Sequence, residues 1–176
     1  MDENQNPNDN IGGFAHLKDF LDPNFRIEEY LKNEEVDRKI RLKEEILNFH
    51  AHVYYTLERK ETAKLLYQQI AERFRIQLGM MYDFAAGPHT YPQFEVAFPT
   101  NEFSNLIPWL MLNRMGLSIL IHTNTVYPRD DHLKTCFWLG KQLPLKGEKL
   151  PEHLSIVGMK EPPQIHPNTV PTILSH

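Results

Sequence analysis

The stretch Ile46-Leu47-Asn48-Phe49-His50-Ala51-His52-Val53-Tyr54-Tyr55 decides the fold. From Phe49 onward its side chains alternate with period two. Phe49, Ala51 and Val53 point to one side, and His50, His52 and Tyr54 to the other. Such a strand is covered on one face only, and the elements that follow supply the cover. Glu61 to Leu78 carries Ala63, Leu66, Ile70 and Phe74 on one helical stripe, with Gly79 as its C-cap. Met80–Ala85 and Gln93–Phe98 form a hairpin through the Gly-Pro loop Ala86–Pro92. Glu102 to Met115 is a second helix, with Phe103, Leu106, Ile107, Leu110 and Met111 at core spacing and Gly116 closing it. Leu117 to His122 is the fourth strand. Asp130 to Leu139 is expected as a short helix capped by Asp130 and stopped at Gly140. The order βαββαβ predicts an α+β, ferredoxin-like sandwich, a four-stranded antiparallel sheet with two helices on one face.

This unit, residues 46–145, is flanked by segments of different composition. Residues 1–13 are polar and rich in Asn, which predicts a disordered tail. Residues 14–45 are expected as a charged helical extension, since twelve of the eighteen residues from Glu28 to Glu45 are charged. Prolines recur from Pro151 to Pro171, so residues 146–176 are expected as an extended appendage.

The chain has 176 residues, a net charge of −4, nine histidines and one cysteine. Cys136 alone can form no intramolecular disulfide and no thiolate-rich zinc site, so any metal would be held by imidazole and carboxylate. Together with an acidic, polar start, this predicts a cytoplasmic protein. No apolar run approaches the roughly 20 residues that span a bilayer. The acidic balance gives no footprint for nucleic acid, and the open face lacks the aromatics of an RNA-binding sheet.

Strand parity sorts the histidines. In the 4-1-3-2 strand order of this fold, the first strand lies between the third and fourth. Phe94, Val96 and Phe98 then face the helices and leave Glu95 on the open side, while Leu117, Ile119 and Ile121 go inward and leave His122 outside. His50, His52, His122 and Glu95 thus converge on one surface. Histidines at i and i+2 on a strand have Cα atoms about 7 Å apart, within reach of one divalent ion. A single histidine on an open sheet face is more often merely polar surface; four candidates on one face point to a metal. His89, in Gly87-Pro88-His89, and His132, after Asp130-Asp131, lie on loops near this surface. Trp109 and Trp138 are expected in the core. His16, His153, His166 and His176 lie in the flanking segments.

The run His50-Ala51-His52-Val53-Tyr54-Tyr55 is followed by Gly87-Pro88-His89, Trp109-Leu110, Asn113-Arg114, Leu117-Ser118 to His122, Asp131-His132, Trp138-Leu139-Gly140 and Leu143-Pro144-Leu145. In this order and spacing it resembles the DOPA 4,5-dioxygenase-like family. The resemblance covers about a hundred residues. Thr90 and Thr123 stand where that family commonly has proline.

The resemblance implies a ferredoxin-like, often dimeric protein that cleaves the ring of DOPA or a related catechol with O2. The implied metal is Fe(2+), with Zn(2+) and Mn(2+) the other metals open to such a site. An octahedral ion that must also accept a catechol and dioxygen leaves the protein about half of its shell. Three of His50, His52, His122 and Glu95 would fill that half. Catechol loses a proton on binding and a proton returns during ring opening, a task for His89 first and His132 second, with Tyr54 orienting the substrate. The other reading of the same residues is a metal- or small-molecule-binding protein without dioxygenase activity.

Overall fold

The alternation in the first strand sets the layers. In the computed structural model, which describes residues 40–173, β1 (Asn48–Tyr54) is the central strand. Ala51 and Val53 are wholly buried against α1 (Lys60–Ala71) and α2 (Phe103–Asn113). From α1 come Ala63, Leu66 and Ile70, and from α2 Leu106, Ile107 and Leu110, at the spacing that keeps one helix face turned inward. Phe94, Val96, Phe98, Ile119 and Ile121 complete the floor of this core. Burying apolar side chains of this size stabilises by roughly 1.5–3 kcal/mol each, which is why the parity of the strands is not negotiable.

β1 pairs antiparallel with β3 (Gln93–Phe98) and with β4 (Ser118–Asn124), and β2 (Gln77–Tyr82) lies outside β3. The four strands expected from the sequence therefore have the order expected for them. The sheet is nonetheless five-stranded, in the order β2-β3-β1-β4-β5.

The fifth strand corrects the helix expected over Asp130–Leu139. That segment is a one-and-a-half-turn helix, α3 (Pro128–Leu133), followed by β5 (Cys136–Leu139), which pairs with β4 from Ile119↔Leu139 to His122↔Cys136. Asp130 is not the cap; Tyr127 holds that position and Pro128 opens the helix. The first helix also ends earlier than expected, at Ala71 rather than Leu78. Phe74, Ile76 and Leu78 stay buried, the first two in the irregular segment before β2 and Leu78 in β2 itself. Gly79 is inside β2, not a C-cap: a Cβ there would meet the Cβ of Glu95 at 3.4 Å.

The expected tail 1–13 and most of the extension 14–45 lie outside the described residues; Lys43–Glu45 form a single 3-10 turn. Residues 166–169 run along the outer edge of β2 and the residues that lead into it. The Asn168 side chain accepts from the Leu78 amide at 2.8 Å and donates to the Leu78 carbonyl at 2.9 Å. The Thr169 hydroxyl accepts from the Ile76 amide at 2.9 Å and contacts the Phe74 carbonyl at 2.7 Å. These contacts occupy backbone groups that an edge strand otherwise leaves unpaired. Among the described residues, no helix is long and apolar enough to cross a membrane.

Candidate metal centre

The open face of the sheet carries the histidines. Across β1 and β4, His50 stands opposite His122 and His52 opposite Leu120; across β1 and β3, His52 stands opposite Glu95. Two further imidazoles close over this face. His132 comes from α3 with its ring centroid 3.9 Å from that of His122, and His89 from the β2–β3 loop with its centroid 4.0 Å from that of His52. All five histidines of residues 46–145 therefore form one cluster centred on His52. Its imidazole nitrogens fall into two overlapping triads, His50–His52–His122 and His52–His89–His132, each with donor atoms within 4.8 Å of one another.

Hydrogen bonding fixes which nitrogen of each ring is free. A carbonyl oxygen only accepts, so His122 Nδ1 donates to the Thr123 carbonyl at 2.6 Å and His132 Nδ1 to the Pro128 carbonyl at 2.9 Å. His52 Nδ1 donates to Gln93 Oε1 at 3.2 Å. Each of these rings then presents an unprotonated Nε2. His52 Nε2 and His122 Nε2 face each other at 3.1 Å. Two lone pairs repel at that distance, whereas metal–nitrogen bonds of about 2.0–2.1 Å place adjacent ligands roughly 3 Å apart. The donor set thus fits a divalent ion, with outer hydrogen bonds that fix ring orientation as metal-binding imidazoles require.

Burial keeps these rings neutral. It pushes His50 down to about 4 and His89 down to about 3, and it holds His52, His122 and His132 below the ordinary imidazole value. Neighbouring imidazoles add to the effect on His52 and His89. Neutral imidazole is the form that binds metal. Burial also raises Tyr54, so its phenol keeps its proton; the Tyr54 hydroxyl lies 2.7 Å from His89 Nδ1.

Glu95 is placed differently from the other candidate ligands. Its carboxylate lies 3.6 Å from His50 Nδ1 and belongs to neither triad, and burial raises its pKa. His50 Nε2 is met by the side-chain amide of Asn124 at 3.2 Å. Trp138, expected in the core, lies on the open face, its ring stacked on that of Tyr54 with centroids 5.5 Å apart. Gln93 and Asn124 were not singled out from the sequence, although each shares the parity of a residue that was: Gln93 that of Glu95, Asn124 that of His122.

The loop-borne rings are held by long-range contacts. Asp131 is buried and accepts from the Thr125 amide at 2.8 Å and from the hydroxyls of Thr123 at 2.7 Å and Thr125 at 2.9 Å. Those bonds anchor α3 to the end of β4 and so aim the adjacent His132. On the other side, Gly87 takes a φ of 60°, which its missing Cβ permits. Residues 88–90 are tied to the segment after β5: Lys146 N donates to the Pro88 carbonyl at 2.8 Å and Thr90 Oγ1 to the Pro144 carbonyl at 2.7 Å. Thr90 and Thr123 therefore both brace the site.

Known proteins of one family resemble this chain. The model of the Dopa 4,5-dioxygenase family matches residues 49–149, and the chain belongs to that family. It is 36% identical over 109 residues to an uncharacterized 21.2 kDa protein of Botryotinia fuckeliana, covering 55% of this chain and 60% of that one. It is 30% identical over 131 residues to the DOPA 4,5-dioxygenase of Amanita muscaria, covering 66% of this chain and 55% of that one. The chain thus spans less than two thirds of the length of these curated relatives. A crystal structure from Nostoc punctiforme, provisionally named a dioxygenase, superimposes with a TM-score of 0.61 at 40% identity, covering 62% of this chain and 95% of that one.

Proposed function

We propose that the protein is a non-haem, metal-dependent extradiol dioxygenase that opens the ring of DOPA or a related catechol with O2. The observation that carries this reading is the facing pair His52 Nε2 and His122 Nε2, 3.1 Å apart, each with its other nitrogen committed to an outer acceptor. His52 and His122, completed by His50, would hold the ion, which we take to be Fe(2+). Bound there, it would supply the Lewis-acid and one-electron chemistry that allows dioxygen to react with a catechol. A triad leaves open the positions such a substrate needs.

The second triad's other members serve proton transfer. His132 presents an unprotonated Nε2 and is the base for the catechol hydroxyl. Tyr54 keeps its proton and donates it in a hydrogen bond to His89 Nδ1, so His89 carries its own proton on Nε2; giving that proton up for ring opening while Nδ1 takes the Tyr54 proton leaves the ring neutral, and His89 with Tyr54 serves as the acid. Trp138, stacked on Tyr54, holds that phenol in place. The family resemblance supports a homodimer, and the single cysteine a cytoplasmic setting.

The test is metal analysis joined to oxygen uptake. Replacing both His50 and His52 by Ala should abolish iron binding while the circular-dichroism spectrum is preserved, and wild type loaded with Fe(2+) should consume O2 with catechols. Stoichiometric iron in the double variant would overturn the proposed ligands. Iron without O2 uptake across a catechol panel would favour a metal-binding protein of the same fold.

A further inference from the structure

Beside the metal centre, at the end of the sheet, lies a cavity of about 180 Å³. Its walls include Tyr54, Tyr55, Tyr91, Ser118 and Leu143, and among the described residues Arg59 contributes the only charge. Tyr54 and Ser118 are register partners one pleat repeat beyond His52 and Leu120, so the cavity begins roughly 7 Å along the strands from His52. Tyr54 is a shared wall, lining the cavity while its hydroxyl holds His89.

Arg59 donates to the carbonyls of Met115 and Gly116 at 2.6 and 3.1 Å, in the turn that follows α2, and these bonds hold the guanidinium in place. Only two of its five N–H groups are used this way. Among the described residues no carboxylate lines the cavity and none pairs with Arg59. A held cation with unused donors, facing aromatic walls and no anion, suits a planar carboxylate, which the guanidinium can meet with two parallel bonds.

We infer that this cavity seats a carboxylate-bearing arm of the substrate, and that Arg59 determines specificity for it. The inference rests on the proposed dioxygenase reading for where the ring lies, and it adds the anchor at the far end. A ring at the metal centre and a carboxylate two or three bonds from that ring span the distance from His52 to the cavity.

Two measurements test it. In the first, metal-free protein is titrated calorimetrically with 3-phenylpropionate and with its neutral amide. Wild type should bind the acid in preference to the amide, Arg59→Met should lose the acid by at least tenfold, and Arg59→Lys should fall between. In the second, the iron-loaded protein is given 3,4-dihydroxyphenylpropionate and 4-methylcatechol, and the ratio of their kcat/KM values should fall at least tenfold in Arg59→Met. A purely structural role for Arg59, as a brace of the turn after α2, would lower both values together and leave the ratio unchanged, which overturns the inference. So does equal binding of acid and amide by wild type, even where catechols are cleaved. Arg59-dependent binding of the acid without cleavage of any catechol would sustain the carboxylate site while overturning the dioxygenase.

Discussion

The site has two halves built in different ways. His50, His52 and His122 stand on the central strands β1 and β4, while His89 and His132 stand on a loop and a short helix held by contacts to distant residues. In the first half, ring position follows from backbone pairing, because a one-residue slip would drive Ala51 and Val53 into the open and the histidines into the core. In the second half, strand pairing does not place the rings; His132 is oriented by its bond to Pro128, and Asp131, Pro88 and Thr90 hold the two segments through bonds to β4 and to the segment after β5. On the proposed reading, the strand-borne rings form a rigid half that would hold the ion and the other two an adjustable half that would move protons.

The sharpest way to break that division is to remove one ring from each half. His52→Ala should lower Fe(2+) affinity by more than a hundredfold. His89→Ala should leave the ion bound and lower turnover by roughly 10²–10⁴, the usual contribution of a general acid. Metal titration beside steady-state oxygen uptake reads both. If His89→Ala loses the ion as His52→Ala does, the division is wrong and the second triad is the metal site.

The next largest effect concerns how the adjustable half is held. Asp131→Ala would strand the Thr125 amide and the hydroxyls of Thr123 and Thr125 without their shared acceptor, a loss of roughly 2–4 kcal/mol. Chemical denaturation should show that loss, and turnover should fall further than the remaining folded fraction explains, because His132 is no longer aimed. The strand-borne ligands should still bind metal in the folded fraction.

The same division explains what could be read from the sequence. The alternation His50-Ala51-His52-Val53-Tyr54 placed three strand-borne groups on the open face, because parity is a local property and the apolar partners leave one solution. Carrying that parity one step further along β3 and β4 would have reached Gln93 and Asn124. The end of α1 was not legible, since Phe74 fits both a helical stripe and a turn. What separates the two is Thr169, more than ninety residues away, bonded to Phe74 and Ile76. β5 was hidden for a similar reason. Cys136-Phe137-Trp138-Leu139 is a short apolar run that suits either element, and only its pairing with β4 makes it a strand. Asp131 stood in the Asp131-His132 motif, but its role was not legible, because its three hydroxyl and amide partners meet only in the folded chain.

A pH series tests the burial of the whole cluster at once. In the unfolded chain each imidazole takes up a proton near pH 6.5, whereas folded His50 does so only near 4 and His89 near 3, with His52, His122 and His132 also shifted down. Between those limits the unfolded chain binds more protons than the folded one. Stability of the metal-free protein should therefore fall as pH drops from about 6.5 towards 4. Glu95, raised by burial, works in the opposite direction, losing stability as pH rises through its folded pKa, but it is one group against five. Thermal melts between pH 7.5 and 4.5 should show a steadily falling Tm. A flat profile would mean that the rings are not held neutral.

The smallest expected effect sits where the two halves meet. His52 belongs to both triads, and its Nδ1 is committed to Gln93 on β3. Gln93→Leu keeps the volume of the side chain but removes the acceptor, so the His52 ring is free to turn over or change tautomer. Outer partners of metal-binding imidazoles are typically worth 10–100-fold in affinity, and a loss near the lower end is expected here, about tenfold, because packing against His89 and His122 still restrains the ring. Gln93→Glu should restore the affinity, since a carboxylate accepts from Nδ1 at least as well as an amide does. Were Gln93→Leu to bind metal as wild type does, His52 would owe its orientation to the strand and its stacked neighbours alone. The rigid half would then need no outer support, and the contrast with the braced loops would be greater still.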